Sequence, residues 1–386
     1  MSQRFQIVGS LLRPADLLKY KRQIEQNDGI VYPFYNDLPG YEECEANATK
    51  DVIAKQIAHG LDIISDGEFS KSLWHLDFVW GLTGIERRIA EHGYFFREKG
   101  ETDKGSFETR RDIGLRFHGA FSGKNHHWIK VFKRIQEYAN GHATKLCIPS
   151  PSQMFGEFSW SKNIVDRYSY YATPEDLKQG LLGAYKEFVE EYAAAGGKIL
   201  QMDDCLWTMF ADDNPNSPFT GTGIDPDALL ATAAEFVAMN NEIIALGHKL
   251  GLKMWTHNCR GNYASRNMGG GSYLKIAELF FKGQNYDRFF VEWDDERAGS
   301  LDALALFQDK AEVVLGFMCS KTNTLDDEAR IIKMLDEASK IVSKDRLYLS
   351  HQCGFASCDG GNELSEAEQW AKIDQGQKIA KAYWGV

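Results

Sequence analysis

The sequence contains few of the features that mark secreted or membrane proteins. Its 386 residues include only seven cysteines, an odd number that is too sparse for a disulfide framework and fits a reducing compartment. No apolar run reaches the ~18 residues that a membrane-spanning helix needs, so no contact with the membrane interior is expected. The N-terminus lacks the apolar core of a signal peptide. We therefore expect a cytoplasmic protein.

An excess of basic charge is also missing. The chain has 44 Lys and Arg against 55 Asp and Glu, which gives a net charge of −11. This balance argues against general binding to nucleic acid or to anionic membranes. Since no linker, internal repeat or low-complexity segment divides the chain, we expect residues 1–386 to form a single catalytic domain. Whether that domain assembles into a homo-oligomer is left open.

Apolar segments alternate with amphipathic helical patterns along most of the chain. Eight short segments are predicted as strands: residues 5–10, 61–65, 144–149, 198–202, 252–255, 289–292, 311–317 and 346–350. Eight strands that alternate with helices predict an α/β protein with the (β/α)₈ TIM-barrel fold. Residues 69–140 interrupt the alternation and are rich in aromatic side chains, glycine and charge. We predict that they form a hairpin-rich excursion after the second strand.

Four potential metal ligands follow three of these strands. His257 and Cys259 come after the fifth strand, Glu292 ends the sixth, and Cys353 follows the eighth. Because the C-terminal ends of barrel strands form one face, these side chains would converge there. Imidazole nitrogen, thiolate sulfur and carboxylate oxygen are ligands that Zn²⁺ accepts. The sequence therefore predicts a zinc site, with a closed structural zinc site or four unrelated core residues as the alternatives.

The composition of this ligand set indicates what the metal would do. Two thiolates and one carboxylate give a site with a formal net charge of −1, which is a poor Lewis acid for making hydroxide. The same site suits the binding of a substrate thiol and its activation as a thiolate. The expected partner is consequently a small-molecule thiol.

Other polar residues would share the face of the barrel that carries the metal. Backbone N–H groups at Gly9 and Ser10 suit a carboxylate, whereas Glu68 and Asp203 suit an ammonium group. Together they fit an amino acid that carries a thiol, although each acid could instead form a salt bridge at the barrel rim. Lys321 follows the seventh strand and is either a proton donor, an anion clamp or a solvated loop residue. Lys321 and Asp203 are the candidate catalytic residues.

The order of these motifs resembles that of a known family. The matching motifs are Val8-Gly9-Ser10, Asp66-Gly67-Glu68, Met202-Asp203-Asp204, Thr256-His257-Asn258-Cys259, Val291-Glu292 and Cys353-Gly354. Over nearly its full length the chain resembles the catalytic C-terminal domain of cobalamin-independent methionine synthase, and it is most similar to the short, single-domain members. The resemblance implies a TIM barrel, a zinc site and methyl transfer to the thiol of homocysteine, which forms methionine. It also implies that Ser10, Glu68 and Asp203 hold the amino-acid part of homocysteine. The implied donor is 5-methyltetrahydrofolate, its polyglutamate or another methyl carrier.

The sequence departs from the large enzymes of that family in three places. It has no N-terminal duplicate domain, and Lys321 stands where the large enzymes carry a proton-donating histidine. The acidic stretch Asp294-Asp295-Glu296-Arg297 is typical of the short branch, which is also similar to zinc enzymes that alkylate coenzyme M. Three alternatives therefore stay open: alkyl transfer to another small thiol such as coenzyme M, a metal-dependent hydrolase or lyase, and a non-catalytic zinc-binding homologue.

Overall fold

The computed structural model describes residues 3–98, 101, 105–212 and 226–385, without the side chains of residues 226–230. The strands are β1 (Ile63–Ile64), β2 (Thr83–Arg88), β3 (Phe95–Phe96), β4 (Phe107–Glu108), β5 (Gly114–Ser122), β6 (Ala143–Pro149), β7 (Ile164–Val165), β8 (Ile199–Asp203), β9 (Lys253–Asn258), β10 (Arg288–Glu292), β11 (Glu312–Met318) and β12 (Leu347–His351). The α-helices are α1 (Ala15–Gln26), α2 (Tyr41–Ala58), α3 (Leu76–Trp80), α4 (His127–Tyr138), α5 (Pro151–Trp160), α6 (Pro174–Ala194), α7 (Trp207–Ala211), α8 (Pro226–Lys249), α9 (Glu328–Ser339) and α10 (Glu366–Trp384).

Seven parallel strands form the central sheet, in the order β1-β6-β8-β9-β10-β11-β12. This confirms an α/β fold that is consistent with a TIM-barrel-like enzyme. Neighbouring strands end at nearly the same level, since Asp203 at the end of β8 pairs with His257 in β9, and Glu292 at the end of β10 pairs with Gly316 in β11. Residues that follow these strands are consequently brought to one edge of the sheet.

The first predicted strand, residues 5–10, is extended but forms only one parallel bridge, between Phe5 and Leu349 of β12. Backbone hydrogen bonds of 2.9 and 2.8 Å join Gln6 and Arg4 to the same leucine. The carbonyl groups of residues 7 and 8 instead accept hydrogen bonds from the amine of Lys145, at 2.8 and 2.6 Å. The segment therefore lies beside β12 without forming a regular ladder.

A small apolar layer lies on the sheet face that leads to the strand ends. It consists of Val8, Ile199, Trp255, Phe290, Val314 and Tyr348, one residue from each of six neighbouring segments. Because side chains alternate along a strand, His257 projects to the same side as Trp255, and Glu292 to the same side as Phe290. The layer thus forms a dry floor below the polar residues at the strand ends.

Residues of the 69–140 region include the described antiparallel pairings of the fold. Strand β2 pairs with β5, and β3 pairs with β4, where Phe95 faces Glu108 and Phe96 faces Phe107. Residue Arg97 then forms an antiparallel bridge with Asn267, beyond β9. This bridge carries the β3–β4 hairpin to the C-terminal ends of the sheet strands.

Local sequence features define the start of one long helix. Helix α6 opens with a capping box in which Thr173 and Asp176 bond to each other's backbone N–H, and Pro174 occupies its first position. Among the described residues, no helix is long and apolar enough to cross a membrane.

Candidate active site

Three of the four predicted metal ligands lie together. The donor atoms of His257, Cys259 and Cys353 are all within 4.8 Å of one another, and all three residues are buried. His257 is the second-last residue of β9, Cys259 follows that strand directly, and Cys353 lies two residues beyond β12. The parallel sheet therefore converts a separation of almost 100 positions in the chain into a single cluster.

The histidine in this cluster is oriented as metal-binding histidines are. Its Nδ1 lies 3.2 Å from the carbonyl oxygen of Phe290, to which the Nδ1–H tautomer donates a hydrogen bond. Its Nε2 is buried and has no hydrogen-bond partner among the residues that the structure describes. A backbone carbonyl that fixes one ring nitrogen while the other is left to the metal is the usual arrangement. With two thiols beside it, this donor set fits zinc.

Glu292 is also buried at the strand ends, but it does not belong to the group of three. One carboxylate oxygen accepts a hydrogen bond from the backbone N–H of Arg260 at 2.7 Å, and the other accepts one from the Arg297 guanidinium at 2.9 Å. Both contacts hold the carboxylate next to the loop that carries Cys259. Glu292 as fourth ligand stays a prediction.

A second buried group joins two of the predicted substrate-binding acids. Atoms of Glu68, Cys147 and Asp203 lie within 4.8 Å of one another. The Lys71 amine is 3.1 Å from a Glu68 oxygen and 2.7 Å from the Cys147 carbonyl oxygen. Lys145 lies nearby and bonds the side chain of Gln201 at 2.8 Å. Two acids and two lysines thus share one buried site.

Asp203 is the acid in this group that resists ionisation. Burial raises the pKa of its carboxyl to about 8, and the negative charge of Glu68 adds to the effect. A hydrogen bond of 2.8 Å from the Gln201 amide opposes it. Asp203 is also the register partner of His257, so this acid adjoins the metal cluster. An incoming ammonium group would favour the carboxylate form here.

The turn that carries Glu68 is strained. Gly67 and Glu68 both have a φ of 63°, which is unusual for a glutamate. Asp66 stabilises the turn by accepting a hydrogen bond from the backbone N–H of Glu68 at 3.0 Å. Strained backbone of this kind concentrates at functional sites.

Gly9 and Ser10 pack against both groups. A side chain at Gly9 would place its Cβ 3.1 Å from the Cys147 sulfur and 3.3 Å from a Glu68 oxygen, so this close approach needs glycine. The Ser10 hydroxyl accepts a hydrogen bond of 3.3 Å from the backbone N–H of Ala356, in the loop that also carries Cys353. These two residues therefore connect the acidic group to the metal cluster.

Lys321 takes a different position from the one expected for an acid that faces substrate. Its amine donates a hydrogen bond of 2.9 Å to the carbonyl oxygen of Gly261. Lys321 does not belong to the described residues that line the main cavity, whereas Gly261 does. Its role as proton donor stays a prediction.

One cavity of about 340 Å³ opens onto these groups. Its polar lining includes Ser10, Glu68, Asp203, His257, Cys259 and Cys353. The rest of its wall is largely aromatic, with Trp74, Tyr94, Phe96, Trp160 and Tyr263. A cavity of this size, mostly apolar with a few convergent polar groups, has the properties of a small-molecule site.

A polar cluster in the aromatic part of the wall was not predicted from the sequence. The Tyr94 hydroxyl donates a short hydrogen bond to Glu157, and His75 lies 4.0 Å from the other oxygen of that carboxylate. Burial raises the pKa of Glu157 to about 7 and lowers the pKa of His75 to about 3. Near pH 7 the histidine is therefore neutral, while Glu157 exists in both its protonated and its ionised form. Glu157 lies within α5 and Tyr94 just before β3, outside any strand end, so the barrel pattern gave no signal for them.

Cys205 is a second residue that the sequence did not single out. It follows β8 by two positions and lines the cavity, and its sulfur lies 3.2 Å from that of Cys259. The signal that could have found it is the stretch Asp203-Asp204-Cys205, which follows a buried strand as the other functional motifs do.

Comparison with known proteins shows what the whole chain resembles. No family model matches the chain. The uncharacterized protein YxjH of Bacillus subtilis is 33% identical over 378 residues, which cover 98% of this chain and 93% of that protein. A structure from Listeria monocytogenes, provisionally named a vitamin-B12-independent methionine synthase, is 27% identical with a TM-score of 0.70 and covers 100% of this chain and 99% of that one. A B12-independent methionine synthase from Shewanella sp., solved with selenomethionine, is 18% identical, has a TM-score of 0.70 and covers 99% and 98% of the two chains.

The match to YxjH extends over almost the whole of both chains, and the similar solved structures share the complete fold. Five of the six motifs that suggested a resemblance in the sequence, all except Val291-Glu292, contribute residues to the lining of one cavity in the structure. The chain thus belongs to the same family as YxjH, and over its full length it is similar in structure to cobalamin-independent methionine synthases.

Proposed function

We propose that this protein is a zinc-dependent methyltransferase that transfers a methyl group to the thiol of homocysteine and forms methionine. The observation that carries the proposal is the placement of His257, Cys259 and Cys353 directly beside Asp203, on the wall of one cavity. The first three provide the thiolate-rich donor set, and the fourth provides an acid for an ammonium group. A thiol-bearing amino acid is the small molecule that satisfies both.

The chain's own residues would hold both halves of the acceptor. Bound zinc would lower the pKa of the substrate thiol and keep it as a thiolate nucleophile. His257, Cys259 and Cys353 would hold that metal, with Glu292 as the predicted fourth ligand. Asp203, with Glu68 behind it, would bind the ammonium group, and the segment at Gly9 and Ser10 would bind the carboxylate.

The aromatic part of the wall suits the methyl donor. Trp74, Tyr94, Phe96 and Trp160 provide flat apolar surface for a ring system such as that of 5-methyltetrahydrofolate or of another methyl carrier. The substrate sulfur attacks the methyl carbon, and the electron pair of the breaking bond remains on the leaving group, which requires a proton if it is a nitrogen. Lys321 is the predicted donor of that proton, and Glu157 is a second candidate because it lines the cavity and has a pKa near 7.

We also propose that residues 1–386 form one catalytic domain built on an eight-stranded barrel. Residues 5–10 would occupy the eighth position, since they lie beside β12, at one end of the seven-stranded sheet. Residues 69–140 would be an excursion from the barrel that supplies Trp74, Tyr94 and Phe96 to the cavity.

Transfer to another small thiol, such as coenzyme M, is the main alternative. An acceptor without an ammonium group would leave the acidic group of Glu68 and Asp203 without a function in binding. A thiolate-rich site is a weaker Lewis acid than a histidine-rich one, which counts against a hydrolase or lyase. The arrangement therefore favours an amino-acid thiol.

Metal analysis of ligand variants tests the first part of the proposal. Purified wild-type protein should contain one zinc per chain, and Cys353→Ser should lose it. Glu292→Gln should weaken zinc binding by at least about tenfold, as changes at a ligand or its immediate support do, whereas the matched control Glu296→Gln alters an exposed acid and should bind normally. Unchanged zinc in Cys353→Ser would reject the ligand set.

Turnover tests the second part. The zinc-loaded protein, supplied with homocysteine and 5-methyltetrahydrofolate or methylcobalamin, should form methionine in one of the two reactions. Methyl transfer to coenzyme M but not to homocysteine would reject the proposed acceptor and favour the alternative.

A further inference from the structure

Two thiols meet at the edge of the metal cluster. The Cys205 and Cys259 sulfur atoms are 3.2 Å apart, about 1.2 Å more than the ~2.05 Å length of a disulfide bond. Cys259 is buried, with 3% of its surface exposed, while Cys205 is half-buried and lines the cavity. Both residues line the cavity, and Cys205 is the more exposed of the two.

Hydrogen bonds hold the two cysteine loops together on both sides of this contact. The backbone N–H of Asp204 donates to the carbonyl oxygen of His257 at 2.8 Å, and the Asn258 amide donates to the carbonyl oxygen of Asp204 at 2.8 Å. The Thr208 hydroxyl donates a short hydrogen bond to the carbonyl oxygen of Cys259. These hydrogen bonds hold the loops of Cys205 and Cys259 against each other beside the two sulfur atoms.

We propose that Cys205 is a site of reversible oxidation, and that its disulfide with Cys259 removes a ligand from the metal centre. The release of metal rests on the proposed function, whereas the formation of the disulfide does not. Hydroperoxides are the class of oxidant that the cavity admits most readily, because they are small and uncharged.

The chemistry balances in two steps. The Cys205 sulfur attacks one peroxide oxygen, the O–O bond breaks, and a sulfenic acid forms while the other oxygen leaves as water, or as an alcohol from an organic hydroperoxide. The Cys259 sulfur then displaces the hydroxyl group of the sulfenic acid, which leaves as a second water after taking up a proton; the proton comes from the Cys259 thiol in metal-free protein and from solvent when Cys259 is a metal-bound thiolate. Each sulfur is oxidised by one electron equivalent, and the peroxide is reduced by two. A disulfide sulfur no longer carries the negative charge that a zinc ligand needs.

Other pairings are less suitable. Cys353 lies within 4.8 Å of Cys259, but it also belongs to the ligand group, and its sulfur contacts the Ser357 hydroxyl at 3.5 Å. Cys147 belongs to the acidic group and is buried. Cys205 combines the short contact with exposure to the cavity and lies outside the group of three ligands.

Peptide mapping of the intact protein tests the pairing. The purified holoprotein is treated with a small molar excess of hydrogen peroxide, alkylated without reduction and digested. The expected product is a peptide pair linked through Cys205 and Cys259, which dithiothreitol separates. A link between Cys259 and Cys353, or Cys205 found only as sulfinic acid, would overturn the proposal.

Metal release provides the second readout. Zinc freed by peroxide is followed with a chromogenic chelator in wild type, in Cys205→Ser and in the control Cys44→Ser, which alters a half-buried cysteine of α2. Cys205→Ser should release zinc at least about tenfold more slowly, because the attacking thiol is gone, while Cys44→Ser should behave as wild type. Equal rates in wild type and Cys205→Ser would overturn the proposal. A protein purified without metal that still forms the Cys205–Cys259 link would support the pairing and count against the metal centre of the proposed function.

Discussion

The Lys71 amine lies 3.1 Å from a carboxylate oxygen of Glu68, and both side chains are almost completely buried, with 1% and 5% of their surfaces exposed. Lys71 also lies 4.6 Å from the Trp128 ring centroid. Burial by itself would lower the pKa of Lys71, but Glu68 and its neighbours raise it. Glu68 is thus already paired before any substrate arrives, which leaves Asp203 as the acid whose charge responds to a ligand.

Replacement of Lys71 should consequently be costly. In Lys71→Met the carboxylate of Glu68 would remain buried without its cation, and we expect a loss of about 3–5 kcal/mol in the free energy of unfolding. Denaturant unfolding measures the loss. The control Lys19→Met breaks the exposed Lys19–Asp16 pair and should leave the unfolding free energy nearly unchanged. A similarly small effect at Lys71 would mean that the interior is open to water.

Substitution of Asp203 should separate recognition of the ammonium group from activation of the thiol. In Asp203→Asn we expect the KM for homocysteine to rise about 10–100-fold, as the loss of a hydrogen bond between charged groups predicts. With 3-mercaptopropionate, which has no ammonium group, wild type and variant should have the same KM. Metal content checks that the centre is intact. An equal change for both thiols would place Asp203 outside ammonium recognition.

The sequence was informative about candidate functional residues that lie just after the repeated strands of the sheet. Strands that are buried along nearly their whole length were recognisable as short apolar segments. The polar residues just after them were expected to converge, as His257, Cys259 and Cys353 do. The α/β class follows from the alternation of these segments with helical patterns. The segment at residues 5–10 was predicted as a regular strand. In the structure the Lys145 amine donates hydrogen bonds to two of its carbonyl groups. No local sequence pattern reveals a contact between residues so far apart in the chain.

Residues placed by tertiary contacts rather than by strand ends could not be found in this way. Glu157 lies on a helix, and it became notable only because Tyr94 and His75 come from the 69–140 region to meet it. Lys321 follows a strand, as predicted, yet its amine donates a hydrogen bond to the carbonyl oxygen of Gly261. The position of a residue relative to a strand predicts the edge of the sheet at which its side chain lies, but not the group with which that side chain forms a hydrogen bond.

The loop after β12 should tolerate no side chain at Gly354. An added Cβ would lie 1.9 Å from the Ser10 hydroxyl oxygen, so Gly354→Ala should cost about 1–3 kcal/mol and weaken metal binding by displacing Cys353. Gly360→Ala is the matched control, because nothing lies within 4 Å of its Cβ. The double variant Ser10→Ala, Gly354→Ala removes the nearest oxygen and should recover part of the loss. Thermal unfolding and zinc titration check both effects, and no recovery in the double variant would mean that the contact to Ser10 is not the cause.

Glu157 should make stability depend on pH in a defined window. Its pKa is raised from 4.5 to about 7 by burial, so the folded protein prefers the protonated form. The associated stabilisation is fully present below pH 4.5 and is lost as the pH rises through about 7. In Glu157→Gln no proton is lost, so the unfolding free energy of the variant relative to wild type should increase by about 2–3 kcal/mol between pH 5 and 8. His75 does not titrate in this window, because its pKa is lowered to about 3. Denaturant unfolding across the range, with Glu91→Gln as an exposed control, measures the difference. Parallel curves for wild type and Glu157→Gln would mean that Glu157 is ionised at neutral pH, and it could then no longer be a proton donor to a leaving group.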